Sequence, residues 1–281
     1  MTDFNKAKLL KLAVLTSLVG LGCADNASLV DAKFSSPSAL VVAGPDNNRL
    51  FVANAGSGSL QVLRLEDKLE EMTFEESQLV YFPLEIPLGN EKGYPSHLAA
   101  SKDGAYVLVL DSANASIHLI DAATLEKEQG EGVYKLREIL EAPAGSPVSP
   151  ASLVSGRQEC GSGCLGEFYV SFKETGTLVG LRLAEAGAQG PSLSKFTTAT
   201  IPGSPGELAV APGQTKLFAA DASEALLYQF ALTDGELELT ATIPMGAVAG
   251  SLSVSGDGQF LVAARPQLLD VIVFRLDDPS G

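Results

Sequence analysis

A unit of sequence returns five times in this chain, and that recurrence constrains the fold more than any other feature. The clearest copy, residues 37–65, reads P-S-A-L-V-V-A-G-P-D-N-N-R-L-F-V-A-N-A-G-S-G-S-L-Q-V-L-R-L. That is a strand, an Asp-bearing turn, a strand, a Gly/Ser turn and a third strand. The later copies open at Pro95, Pro150, Pro205 and Ala249, so successive starts lie 58, 55, 55 and 44 residues apart. A repeat of this length and kind means small sheets stacked linearly or radially.

Within each unit the strand signal is alternation. Leu208/Val210 and Leu252/Val254 follow their unit starts at period two, which suits a strand and no helix. Turn residues come next: Pro45-Asp46-Asn47-Asn48, Lys102-Asp103-Gly104, Pro212-Gly213-Gln214 and Gly256-Asp257-Gly258. Asp, Asn and Gly accept the tight or left-handed backbone of such turns. Second strands are expected at 50–53, 106–110, 168–172, 216–220 and 260–264, and third strands at 60–65, 116–121, 178–183, 226–232 and 271–276. Weaker fourth strands read at 79–86, 134–140, 196–201 and 238–243. Four antiparallel strands per unit make a propeller blade, so the expected fold is all-β, a five-unit β-propeller. A generic β-sandwich is the competing architecture. The fifth unit ends on its third strand; residues 27–34, with Ser28-Leu29-Val30, are expected to add the outer strand and close the ring. The other reading is a piece of a larger ring.

F-V-A-N-A-G-S-G-S-L-Q-V-L at 51–63 resembles the YVTN-type β-propeller repeat, and residues 100–121 are similar to the same unit with the Asn and Gly positions altered. In the later copies 168–183 keeps Thr175-Gly176-Thr177, and the last two keep only the apolar skeleton. The resemblance covers roughly residues 35–281. It implies an architecture that hosts lactonases, redox enzymes, adhesins and inert scaffolds alike.

The N-terminus carries a different signal. Lys6, Lys8 and Lys11 precede an apolar run from Leu12 to Gly22, then Cys23. A positive segment and a short apolar core describe an export signal. The run is about half of the ~20 residues a membrane-spanning helix needs. Leu21-Gly22-Cys23 resembles a bacterial lipoprotein cleavage site, although Gly20 stands where that family usually has Leu. It implies acylation of Cys23, with two or more chains holding the protein to the membrane. Ala24 at the following position implies delivery to the outer membrane, on its periplasmic or surface face. The alternative is an ordinary signal peptide with an incidental Cys23. The expected organisation is a signal peptide at 1–22, a tether and closing strand at 23–34, and a propeller at 35–281.

If Cys23 is acylated, Cys160 and Cys164 remain, in C-G-S-G-C. Outside the cytoplasm such a pair reads as a structural disulfide. The alternative is a redox dithiol or half a metal site; against metal, no other Cys remains and neither His is nearby in sequence.

The formal charge is −15, and removal of residues 1–22 makes it about −17. That excludes nucleic acid as a partner and disfavours docking of the protein body on anionic lipid. The run Glu66, Asp67, Glu70, Glu71, Glu75, Glu76 lacks a D-x-D-x-D-G calcium loop, so a solvated acidic edge is favoured over a Ca²⁺ site. The irregular insertions 66–93 and 142–163 are expected as surface loops.

Catalytic chemistry is sparse. His97 and His118 are the only histidines, and no haem, phosphate-loop, dinucleotide or G-x-S-x-G motif is present. Asp103 and Asp257 recur at hairpin turns and are read as turn residues. His118 falls within a third strand, at a position matched by Val62. His97 stands in a repeat column reading Ala39, His97, Ser152, Glu207, Ser251, which opens the innermost strand near the central channel. His97 and Glu207 are therefore expected to approach across the channel mouth, as a small-ligand site, a cation site, or a base with its orienting carboxylate. Some lactonases with YVTN-like repeats have a His near this strand start. The favoured reading is a non-catalytic, lipid-anchored binding scaffold without metal or cofactor, facing an envelope protein, glycan or small ligand. The alternative is a lactonase-like hydrolase with His97 as base.

Overall fold

In the computed structural model, residues 34–65, 84–89, 93–126, 132–157, 160–187, 190–233 and 235–276 are described. They form five antiparallel sheets, the blades of a five-blade β-propeller, with almost no helix. Blade 1 contains β1 (Pro37–Ala43), β2 (Arg49–Asn54), β3 (Ser59–Arg64) and β4 (Leu84–Pro87). Blade 2 contains β5 (Pro95–Ala100), β6 (Tyr106–Asp111), β7 (Ser116–Asp121) and β8 (Val133–Lys135). Blade 3 contains β9 (Pro150–Ser155), β10 (Cys164–Phe172), β11 (Thr177–Glu185) and β12 (Pro191–Thr200). Blade 4 contains β13 (Pro205–Val210), β14 (Lys216–Asp221), β15 (Leu226–Thr233) and β16 (Glu236–Pro244). Blade 5 contains β17 (Ser251–Val254), β18 (Phe260–Arg265) and β19 (Asp270–Arg275). Strands pair in chain order within each blade. The first strands neighbour one another in turn, β1 beside β5, β5 beside β9, β9 beside β13 and β13 beside β17.

Alternation along the second strand of each blade builds the core, because each face serves a different neighbour. Val107 and Val109 pack with Phe51 and Leu60 of blade 1. Leu108 and Leu110, one residue out of phase, pack with Phe168 and Val170 of blade 3. Tyr169, pointing the other way on β10, meets Leu217, Tyr228 and Phe230 of blade 4. Phe218 and Leu227 then meet Leu261 and Ala263 of blade 5. All of these side chains are buried. A one-residue slip would put each on the wrong seam. The remaining faces of the first and last blades carry exposed apolar side chains, Leu40 and Val42 on β1 and Val271 and Val273 on β19.

Two expected elements differ. The fourth strand of blade 2 stops at Lys135, and Leu136–Ile139 is a single helical turn, α1. Lys135 pairs with Ser116, the first residue of β7, so beyond it the ladder has no partner strand. Leu-Arg-Glu-Ile then takes the helical conformation these residues favour, and Leu136 drops into the seam between blades 2 and 3. His118 shares its column with Gln61 and not Val62, because Ser116 pairs with Asp111 as Ser59 pairs with Asn54. Both are buried polar residues. Of the strand expected at 79–86, residues 84–86 belong to β4; the rest, the N-terminal segment with Cys23 and the expected closing strand, and the acidic run 66–76 lie outside the described residues.

The chain divides into residues 1–35 and 36–281, and the propeller belongs to the second unit. Cys160 and Cys164 are bonded, with Cα atoms 5.6 Å apart. The bridge ties the entry of β10.

Candidate active site at the channel mouth

Four blades share an irregularity near the start of the first strand. Register shifts fall between Pro37 and Ala39, between Pro95 and His97, between Pro205 and Leu208, and, on the partner strand in blade 3, between Ser171 and Phe172. Proline has no amide proton to give the ladder, so the chain bulges beside it. A bulge re-aims the side chains it carries. Ser96 and His97, adjacent in sequence, consequently both line one cavity.

That cavity has a volume of about 540 Å³ and draws on all five blades: Ser38 from the first, Ser96, His97 and Ser112 from the second, Lys173 from the third, Glu207 from the fourth and Ser251 from the fifth. Convergence of five blades on one cavity marks the mouth of the central channel. Lys173 is exposed and is the one cationic Lys or Arg among the described residues lining it.

His97 Nε2 lies 3.3 Å from Glu207 Oε2, linking residues 110 apart in sequence and blades 2 and 4 in space. His97 Nδ1 lies 3.1 Å from Ser96 Oγ, and Ser96 Oγ lies 2.5 Å from Ser112 Oγ. The His97 and Glu207 side chains are 21% and 31% exposed, so a ligand in the mouth can reach them. A carboxylate only accepts hydrogen bonds, so the proton of the neutral imidazole sits on Nε2 and the Nδ1 lone pair faces Ser96.

Blade 3 fixes Glu207 from both flanks. The Ser171 hydroxyl donates to the Gly206 carbonyl at 2.6 Å, and the Leu208 amide donates to Ser152 Oγ at 3.3 Å. Both serines are fully buried. On the other side of the mouth, the Ser38 hydroxyl donates to the Pro95 carbonyl at 2.5 Å, pinning the bulge that carries Ser96 and His97. The pair is therefore held by neighbouring blades and does not rest on its own strands alone.

Outside the mouth, the second-strand exits carry a repeated carboxylate. Asp111 accepts from the amides of Tyr94, Ala113 and Asn114 and from Asn114 Nδ2. Burial alone would push its carboxyl up, but hydrogen bonds from Asn114 and the backbone, with the nearby His118 imidazole, outweigh it and hold it well below the usual range. Asp221, the same position in blade 4, behaves alike: burial pushes up, and donors from Ser223, Glu224 and Ser204 bring it down. His118 is buried 3.8 Å from Asp111, and Asp103 and Asp257 each accept from a Ser hydroxyl and a backbone amide at their hairpin turns. Buried Glu167 lies between Arg157 at 3.2 Å and Arg182 at 2.7 Å. The described residues contain no cluster of three potential metal-binding side chains.

Among the site residues read from sequence, the structure brings His97 and Glu207 together and joins Cys160 to Cys164. Ser96, Ser112 and Lys173 were missed. Ser96 precedes His97 in the repeat column, but without the bulge it belongs to the opposite face. Ser112 and Lys173 occupy one shared position after the second strand, a column legible only once the strand ends are known.

No family model matches the chain, and no curated protein does. Solved structures share the fold at low identity. A candidate 6-phosphogluconolactonase from Bacteroides fragilis is 17% identical with a TM-score of 0.59, over 84% of this chain and 65% of that one. A second, from Bacteroides uniformis, is 14% identical with a TM-score of 0.62, over 85% and 67%. The periplasmic gluconolactonase of Pseudomonas aeruginosa is 18% identical with a TM-score of 0.60, over 87% and 67%. The chain thus spans about two thirds of the length of these neighbours. What the fold defines is a five-blade β-propeller with a polar mouth.

Proposed function

We propose that this propeller is a lactone hydrolase acting at the channel mouth, with His97 as general base and Glu207 as the group that orients it. One observation carries the reading: His97 and Glu207 meet at 3.3 Å within a polar cavity reached from solvent. The gluconolactonase names borne by its structural neighbours support the substrate class. Two histidines in the whole chain made a scaffold the favoured reading from sequence. A single histidine suffices, however, once a carboxylate fixes its tautomer and stabilises the imidazolium.

In the reaction, an oxygen nucleophile attacks the lactone carbonyl carbon and gives its proton to His97 Nδ1. Glu207 holds the resulting imidazolium through Nε2–H. The tetrahedral centre collapses by breaking the ring C–O bond, and His97 returns the proton to the departing ring oxygen. The product is the open hydroxy acid. Lys173 at the rim attracts the negative charge that develops and any acidic group of the substrate.

We further propose, from the sequence, that the domain is a YVTN-type lipoprotein exported and held to the outer membrane through Cys23. The Cys160–Cys164 bond suits an oxidising compartment, and intact mass of protein from membranes tests the acylation. For activity, the test is proton release from glucono-δ-lactone and its 6-phosphate. Wild-type protein is expected to exceed the uncatalysed rate and His97→Ala to lose at least ~100-fold of it. Equal rates for wild-type protein and buffer would end the proposal.

A further inference from the structure

The order of protons in the mouth singles out one oxygen. Nε2–H of His97 donates to Glu207, so Nδ1 is an acceptor and the Ser96 hydroxyl, 3.1 Å away, is its donor. The Ser96 oxygen then accepts from the Ser112 hydroxyl at 2.5 Å. The Ser96 hydroxyl also reaches the Leu110 carbonyl at 3.4 Å, but the shorter contact is to His97 Nδ1, and through it the direction leads from the Ser96 oxygen toward the carboxylate. This is the arrangement that turns a hydroxyl into a nucleophile: a base within hydrogen-bond reach, itself oriented by a third group. Ser96 is half-buried on the cavity wall, and the bulge after Pro95 lets it share that wall with His97. Ser38 at the same repeat position is followed by Ala39, which offers no base, and donates to the Pro95 carbonyl; the other three blades have Ala151, Gly206 and Gly250 there. The nucleophile geometry thus occurs once in the repeat set.

We propose that Ser96 is the nucleophile and that hydrolysis passes through an acyl ester on its Oγ. The inference rests on the lactonase reading for its substrate. Ser96 Oγ bonds to the lactone carbonyl carbon while its proton moves to His97 Nδ1. The ring C–O bond breaks, and the ring oxygen takes that proton. Because the leaving group remains attached through the ring carbons, the ester retains the whole lactone. Water then attacks the same carbon, gives its proton to Nδ1, and expels Ser96 Oγ, which recovers the proton. The sum is lactone plus water to hydroxy acid. Ser112 is a positioning residue that keeps the Ser96 lone pairs and proton in line.

The experiment has two arms on the full mature protein. In the first, turnover of the aryl lactone dihydrocoumarin is quenched with acid and the protein is mapped by mass. The expected result is a gain of one intact lactone on the peptide holding Ser96, with Ser96→Ala losing ~1,000-fold or more in kcat while its circular dichroism is unaltered. In the second, the wild-type protein meets a fluorophosphonate, which labels an activated serine by loss of fluoride; labelling at Ser96 that His97→Ala abolishes is expected. If Ser96→Ala hydrolyses the lactone within tenfold of wild type and no adduct forms, water attacks directly; Ser96 is then not the nucleophile and the lactonase reading stands. If no lactone is turned over but the fluorophosphonate still labels Ser96 through His97, the lactonase reading falls and the nucleophile remains. Failure of both arms removes both.

Discussion

Asp221 offers the sharpest test of how the blades are locked. Its carboxylate is fully buried and accepts five hydrogen bonds: from the amides of Ser204, Ser223 and Glu224, from the Ser223 hydroxyl, and from Tyr228 OH at 3.2 Å. Asp221→Ala orphans all five donors. Water reaches the part-buried turn amides, but Tyr228 is 1% exposed and its hydroxyl has nowhere else to go. A buried donor left unmade costs about 1–3 kcal/mol, so with the weakened turn the variant is expected to lose about 3–4 kcal/mol. Tyr228→Phe alone removes one bond to a charged acceptor and is expected to cost about 1.5 kcal/mol. In the Asp221→Ala background the same change removes a hydroxyl that is already stranded, so it is expected to be neutral or slightly stabilising. The double-mutant cycle should then return a coupling of at least about 1.5 kcal/mol. Urea unfolding followed by far-UV circular dichroism measures it, a suitable probe for a chain without tryptophan. Additive costs within about 0.5 kcal/mol would refute the claim that Tyr228 and Asp221 act as one buried unit.

Three other outcomes are expected. Gly156→Ala would put a Cβ 2.4 Å from the Tyr169 ring, whereas at Gly213 the nearest atom is 3.9 Å away; the first is expected to cost about 1–3 kcal/mol and the second little, read from the same urea curves. Because Asp111 and Asp221 are held below the ordinary carboxylate value of about 4, their stabilisation is complete above about pH 5 and declines as pH falls through that value and below. Asp111→Asn should flatten the fall in urea midpoint between pH 5 and 3, and parallel curves for variant and wild type would contradict it. Burial, with the nearby charges of Glu167 and Asp221, pushes the Tyr169 and Tyr228 phenols up to about 12. In a phenolate absorbance titration, these two of the six tyrosines should therefore ionise well after the exposed ones, with their share of stability lost as pH rises through about 12.

Much of the architecture was readable because each blade repeats the same physical demand. The short apolar, β-branched-rich run Tyr-Val-Leu-Val-Leu at 106–110, bounded by turn residues, reads as a strand, and its apolar residues on both faces show that it is sandwiched. The repeat column likewise carried His97 and Glu207 to one end of the propeller without any contact being known. Ser96 escaped because alternation assigns it to the face opposite His97, and only the local bulge reverses that. The α1 turn escaped because its cause is where β7 begins, at Ser116, a feature of the partner strand. Glu167 was invisible for a related reason: Arg157 and Arg182 reach it from a loop and a neighbouring strand, and no spacing in sequence marks that meeting.

The bulged strand starts separate the positions that set chemistry from those that set stability. A few residues at the first-strand starts and second-strand exits face the mouth, while most of the large buried seam residues sit on the second and third strands further out. A substitution at Ser251, exposed on the cavity wall, therefore leaves the stacking of Phe51, Leu108, Tyr169 and Phe218 untouched. A propeller of this kind can lose, gain or relocate an active site by exchanging a handful of rim residues, with the ring as an unaltered chassis. The single His–Glu chord across this mouth is one setting of an array that the same backbone could carry in others.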